Sequence, residues 1–122
     1  MKAVAIKSLK NLEVVEIPTP RVKNGSVVVE IKKAGICGSD IHYWDMGLPE
    51  KLVMGHEFCG IVTNPGSRTD LKIGDRVTAL PISPCGKCPA CKSNNYQYCP
   101  HTWDEAVGLS LTNPGAYAEM TS

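Results

Sequence analysis

Hydrophobic positions in the first third of the chain come in short runs cut by turns. Lys2 to Lys7 is apolar with small residues, and Leu12 to Ile17 follows after a turn at Lys10-Asn11. Pro18-Thr19-Pro20 then breaks pairing, because proline has no N–H to give a ladder. The clearest strand runs from Val27 to Lys33. Val27, Val29 and Ile31 fall on one face, Glu30 and Lys32 on the other, at period two. Lys23-Asn24-Gly25 supplies its entry turn. Beyond Gly38 the period changes, and Ser39 or Asp40 is placed to N-cap a short helix towards Met46. In that helix Ser39 and His42 share a face, and Gly47 and Pro49 end it. Phe58 to Thr63 reads as a strand closed by Asn64-Pro65-Gly66. Lys72-Ile73-Gly74-Asp75 turns into another strand, Arg76 to Leu80, and Ala116 to Met120 returns as a last one. Strands at this spacing, between glycine and proline turns, predict a mainly β fold: a barrel or partly open sheet with short helices.

Composition changes this picture little. At 122 residues the chain suits one domain, with 43% hydrophobic and 20% charged residues. Thirteen basic residues balance twelve acidic ones, which favours neither nucleic acid nor an anionic membrane as partner. No apolar run approaches transmembrane length, and Lys7 interrupts the start too early for a signal peptide. No two glycines stand in a G-x-G arrangement, so the dinucleotide fingerprint is missing.

Residues 81 to 115 carry five prolines, four cysteines and little periodicity. So long an irregular stretch in a compact domain needs a staple. Cys85-x2-Cys88-x2-Cys91-x7-Cys99 offers four thiolates, and zinc takes four sulfurs tetrahedrally in closed structural sites. The lobe at 81–100 is therefore expected to be ordered by metal. Such sites contribute on the order of 10–16 kcal/mol in zinc-finger peptides. An iron–sulfur run, which also ends in Cys-Pro, has three residues before its last cysteine where this one has seven. A disulfide loop is the other alternative. Metal-bound thiolates belong in a reducing compartment, so the expected localisation is cytoplasmic.

The second candidate lies between two glycine-flanked segments, Gly35-Ile36-Cys37-Gly38-Ser39-Asp40-Ile41-His42 and Gly55-His56-Glu57. Cys37 and His56 are a thiolate and an imidazole, both zinc ligands. Around them stand a hydroxyl at Ser39, a carboxylate at Asp40 and a second imidazole at His42. Glycines 35, 38, 55 and 60 are expected to allow tight turns or close backbone approach. Gly60 occupies the place of the second histidine of a zincin, which excludes that protease motif. Extended backbone would point His56 and Glu57 to opposite faces, so ligation by both needs a bend. Cys59 reads as a core thiol and His101 as a loop residue. Tyr43 and Trp44 either line a cleft or fill the core.

Taken in order, Gly-Ile-Cys-Gly-Ser-Asp-Ile-His, Gly-His-Glu-Phe-x-Gly-Ile-Val, Gly-Asp-Arg-Val and the four-cysteine loop resemble the zinc-dependent medium-chain alcohol dehydrogenases. They are similar to the N-terminal catalytic, GroES-like domain over nearly the whole chain. The resemblance implies a partly open β-barrel with a zinc-stapled loop over residues 1–122, the nucleotide-binding domain being elsewhere. It implies Cys37 and His56 as catalytic zinc ligands, with Glu57 beside the metal and a third ligand downstream. Asp40 would hydrogen-bond His56, Ser39 would take the substrate proton and His42 would pass it to solvent. Cys85, Cys88, Cys91 and Cys99 would hold structural zinc. The implied reaction is hydride transfer from an alcohol to NAD or NADP, and Tyr43-Trp44 is similar to the polyol branch. As a fragment, the chain is expected to be inactive alone, the parent enzyme forming homo-oligomers through the missing domain. The alternative is a non-catalytic, zinc-stabilised GroES-like binding module.

Overall fold

Strand β3 (Val28–Ala34) is the spine of the molecule, pairing antiparallel with β4 (Phe58–Asn64) on one side and β6 (Met120–Thr121) on the other. The computed structural model describes residues 1–23 and 25–122. Asn24, the centre of the expected entry turn to β3, lies outside the described residues. Strand β5 (Arg76–Thr78) pairs with β4 and completes a four-stranded sheet ordered β5-β4-β3-β6. Strands β1 (Lys2–Ser8) and β2 (Asn11–Glu16) form a separate antiparallel hairpin. The run 117–119 stitches the two sheets together. Val4 N–H donates to the Tyr117 carbonyl, Glu119 N–H to Lys2, and Ile31 N–H to Glu119. The result is the mainly β, partly open architecture expected from the strand spacing, with a nine-residue helix α1 (Gly38–Met46) and a short helix α2 (Pro89–Lys92).

Period two holds where the ladder is regular and fails at its bulges. Val27, Val29 and Ile31 meet Phe58, Ala116 and Val77 in one cluster, as their spacing implies. Val28 is buried as well, because irregularities between Val28 and Val29 and between Ile31 and Lys33 twist β3 between two covered faces. In β4, Phe58, Gly60 and Val62 point inward. Cys59 falls on the opposite parity and is exposed, so the expectation of a core thiol is corrected. Strand β5 stops at Thr78, two residues short of Leu80, which is exposed. Strand β6 begins only at Met120, because residues 115–117 bond instead to the segment 53–55. That segment is a finding of the structure: Leu52, Val53 and Met54 are all buried and join the Ala3–Ala5 and Ile6 clusters.

Among the glycines flanking the open group, Gly55 and Gly60 are required by close backbone approach. A Cβ on Gly60 would lie 2.3 Å from the Glu30 carbonyl oxygen across the β3–β4 ladder. Gly55 has φ +97°, and a Cβ there would meet the Tyr117 backbone nitrogen at 2.8 Å. Gly38, by contrast, has open space around it and an ordinary φ, so the backbone freedom expected of it is not used. Replacing Gly60 by Ala is therefore expected to force the ladder apart at a cost of about 1–3 kcal/mol. Gly38→Ala should leave stability unchanged or raise it by up to about 1 kcal/mol. Urea denaturation of the two variants measures both, and equal midpoints would contradict the close-approach account.

Candidate metal centres

Two backbone junctions bring the first group of side chains together. At the end of the β3–β4 ladder, Gly35 N–H donates to the Glu57 carbonyl at 2.7 Å, just beyond the last pair, Ala34 with Phe58. The chain leaving β3 at Ala34 enters α1 at Gly38, with Cys37 as the residue before it, and the chain entering β4 bends at Glu57. Cys37, His56 and Glu57 consequently converge, their ligand atoms all within 4.8 Å of one another. The bend resolves the parity objection: residues 56 and 57 are not in extended succession, so both reach one point. Cys37 is half-buried, His56 is 9% exposed and Glu57 is exposed, which leaves one side of the group open.

Helix α1 is capped differently from the sequence expectation. Its N-cap is Cys37, whose backbone N–H donates to Asp40 Oδ2 at 2.9 Å. Ser39 and Asp40 lie inside the first turn, where an acidic residue complements the positive end of the helix dipole. The one buried residue of this helix is a carboxylate, Asp40, 3% exposed. Tyr43 and Trp44, three and four residues on, are half-buried against Ile6, Leu52 and Met54. They therefore fill core, while Tyr43 also lines a cavity of about 530 Å³ with Ser39, His56, Pro81 and Trp103.

The polar geometry around His56 is specific. Asp40 Oδ1 lies 3.4 Å from His56 Nδ1. Both atoms are buried, and neither makes an aligned hydrogen bond with any group among the described residues. A carboxylate oxygen only accepts, so the proton belongs on Nδ1 and the lone pair on Nε2. Nε2 lies 3.4 Å from Ser39 Oγ. His42 is exposed one turn further on, and no hydrogen bond joins it to Ser39 among the described residues. The residue that sequence reasoning missed is Tyr117. Its hydroxyl lies 2.9 Å from Asp40 Oδ2 and 3.0 Å from the Gly35 carbonyl oxygen. Burial first, then the Asp40 carboxylate, push its hydroxyl above the ordinary tyrosine range, so it stays protonated. Seventy-seven residues separate it from Asp40, and no local spacing signals such a pair.

The second group is local. Cys85, Cys88, Cys91 and Cys99 place their sulfurs within 4.8 Å of one another, and all are free thiols. Cys88 is the N-cap of α2, with proline as the first helical residue. That turn carries Cys91 inward, where it is 5% exposed. Backbone N–H groups of Lys87 and Cys88 aimed at the Cys85 sulfur hold its thiol down to about 6. Burial, then the neighbouring Cys88 sulfur, push Cys91 up to about 12. The N–H groups of Cys85 and His101 both point at the Cys99 sulfur at 3.4 Å. Thr102, buried behind the lobe, donates its hydroxyl to the Tyr96 carbonyl at 2.7 Å. His101 faces outward against Asp104 at 2.9 Å, outside the group.

Both donor sets fit a thiophilic divalent cation. Four clustered sulfurs cannot all ionise unless a cation balances them, and N–H groups already directed at sulfur stabilise the thiolate form. Four sulfurs suit zinc as a closed site. One sulfur, one imidazole nitrogen and one carboxylate with an exposed side suit an open one.

Residues 23–122 match the family described as the alcohol dehydrogenase GroES-like domain. The chain is 43% identical over 105 residues to a probable D-xylulose reductase A of Emericella nidulans, covering 80% of this chain and 28% of that protein. It is 35% identical over 107 residues to a sorbitol dehydrogenase of Bacillus subtilis, covering 82% of this chain and 30% of that one. The alcohol dehydrogenase TADH from Thermus sp. ATN1 superposes with a TM-score of 0.86 at 33% identity, over 99% of this chain and 36% of that structure. The chain thus spans 28–36% of the length of these three proteins. With the family matched from residue 23 to residue 122, the chain belongs to the GroES-like domain of the zinc-dependent medium-chain alcohol and polyol dehydrogenases.

Proposed function

We propose that residues 1–122 form one GroES-like catalytic domain of an enzyme that oxidises an alcohol or polyol by hydride transfer to NAD or NADP. The observation that carries this reading is the convergence of Cys37, His56 and Glu57 beside a cavity walled by Ser39, Tyr43 and Trp103. In this reading these three residues hold a catalytic zinc, and Cys85, Cys88, Cys91 and Cys99 hold a structural one in the lobe 81–100. Lewis-acid polarisation of the substrate hydroxyl is the chemistry the cation supplies when bound. Ser39 Oγ would accept the substrate hydroxyl proton while giving up its own proton towards His42, so that it stays a neutral hydroxyl, and the carbinol hydrogen would leave with its electron pair as hydride to a nicotinamide held by other sequence. The organic product is a carbonyl compound. Exposed His42 releases the proton to solvent, linked to Ser39 through a bridging water. Asp40 holds His56 in the Nδ1–H form, which keeps Nε2 available as ligand.

Small alcohols and polyols are the substrate class supported by the two named relatives and by Tyr43-Trp44. No helix among the described residues is long and apolar enough to cross a membrane, and thiolate ligands suit a reducing, cytoplasmic setting. These 122 residues contain no G-x-G turn for a dinucleotide. In this reading the cofactor is bound by other sequence, which also supplies the contacts of a homo-oligomer, and this chain by itself does not turn over.

Elemental analysis of the purified 122-residue protein is expected to find one tightly held zinc, lost in Cys91→Ser and retained in Cys37→Ser. Retention in Cys91→Ser would contradict the structural assignment. Chelation should expose residues 81–100 to protease before the β-sheets. In the complete enzyme, Ser39→Ala should lower kcat by roughly 10²-fold or more. His42→Gln should lower it less and respond to added imidazole buffer, since His42 is exposed. A Ser39→Ala enzyme at full rate would remove Ser39 from the relay. Steady NAD reduction by the 122-residue protein would contradict its dependence on a separate cofactor domain.

A further inference from the structure

The Asp40 carboxyl group is 3% exposed on a helix that buries no other residue, so the groups around it decide where it points. Oδ2 is fully engaged: Cys37 N–H donates to it at 2.9 Å and the Tyr117 hydroxyl lies 2.9 Å away. Oδ1 has no hydrogen-bond partner among the described residues and faces His56 Nδ1 at 3.4 Å. The hydroxyl has one proton and two acceptors in reach, Asp40 Oδ2 and the Gly35 carbonyl. A carboxylate is the stronger acceptor, so the proton goes to Asp40.

Tyr117 is itself tightly located. Its N–H donates to the Met54 carbonyl at 3.0 Å, and its own carbonyl accepts from Val4 N–H at 2.7 Å. Its ring packs against two buried clusters, one around Ala3, Ala5 and Val53, the other around Ile6, Leu52 and Met54. Gly55 passes so close that no side chain would fit between.

We propose that Tyr117 is a positioning residue of the Cys37–His56–Glu57 centre. Its hydroxyl, together with Cys37 N–H, saturates Asp40 Oδ2 and turns Oδ1 onto His56 Nδ1, so that Nε2 is presented as the ligand atom. The inference rests on the reading of Cys37 and His56 as metal ligands. Through one side chain it couples the core packed on β1 to the orientation of an imidazole at the open site.

Tyr117→Phe tests this, because it keeps the ring and removes only the hydroxyl. Two readouts separate positioning from general structure. In metal-free protein, nitrogen-15 shifts of the His56 imidazole should report the Nδ1–H tautomer and move towards a mixture in Tyr117→Phe. In titrations with cobalt(II) alone, affinity at the Cys37 site should fall roughly 10-fold, with the four-cysteine site unchanged; Cys37→Ser identifies which absorption band is which. On an Asp40→Asn background the same substitution should add no further loss. An unchanged tautomer, an equal loss at both metal sites, or an undiminished effect in Asp40→Asn would each overturn the proposal. In the unsubstituted protein the Tyr117 hydroxyl proton should exchange slowly enough to be seen by proton NMR, and its absence would count against the proposal whether or not the variant folds. If Cys37→Ser still binds two cobalt ions, the metal-centre reading fails, while the metal-free tautomer measurement still decides the role of Tyr117.

Discussion

The hydrogen bond from Gly35 N–H to the Glu57 carbonyl is the joint on which this molecule turns. It lies one step past the end of the β3–β4 ladder, where two strands that have run side by side diverge. One chain goes into α1 behind Cys37; the other arrives through the bend at His56 and Glu57. A thiol and an imidazole nineteen residues apart in sequence meet because β3 pairs with β4 over long range. The ladder thus has a double task. It buries Val29, Phe58 and Val62, and its end point sets the separation of a thiol from an imidazole.

The open centre inverts the usual polarity of a core. Helix α1 buries a carboxylate where an amphipathic helix would bury a leucine. A desolvated charge of this kind is tolerated only when donors surround it. Here a helix N-cap amide and a tyrosine hydroxyl bond to Oδ2, and an imidazole edge faces Oδ1 at 3.4 Å. Two of the three come from outside the helix, so α1 is docked by polar contacts as much as by Tyr43 and Trp44.

Much of this was legible in the sequence, and the exceptions have physical causes. Period two located β3, and an apolar run closed by Asn64-Pro65-Gly66 located β4. The same periodicity, applied to Phe58-Cys59-Gly60, places Cys59 outward; general burial statistics for cysteine pointed the wrong way because strand parity outweighs them. The helix start was displaced to Ser39 or Asp40 because cap preferences assume a side chain that reaches forward. In α1 the Asp40 side chain reaches back to Cys37. Leu52, Val53 and Met54 are too short a run to show a period, and their burial depends on β1 and on residues 115–117. Tyr117 was invisible for the same reason at greater range: its role exists only after the sheets are stitched.

The two thiol-bearing groups differ in what assembles them, and this separates their stabilities. The four sulfurs lie within fifteen consecutive residues, close in any conformation of a short loop, and need little from the barrel except an anchor. Ser83 N–H to the Thr102 carbonyl and Val107 N–H to the Pro81 carbonyl supply it. Their lobe has few buried apolar side chains of its own, so on the proposed reading its order follows metal occupancy. Cys37, His56 and Glu57 are brought together by the pairing of β3 with β4 and by the bend at Glu57. On the proposed reading, a ligand set placed by the sheet in this way is restrained from closing around its metal, and a site that admits a substrate oxygen requires that restraint.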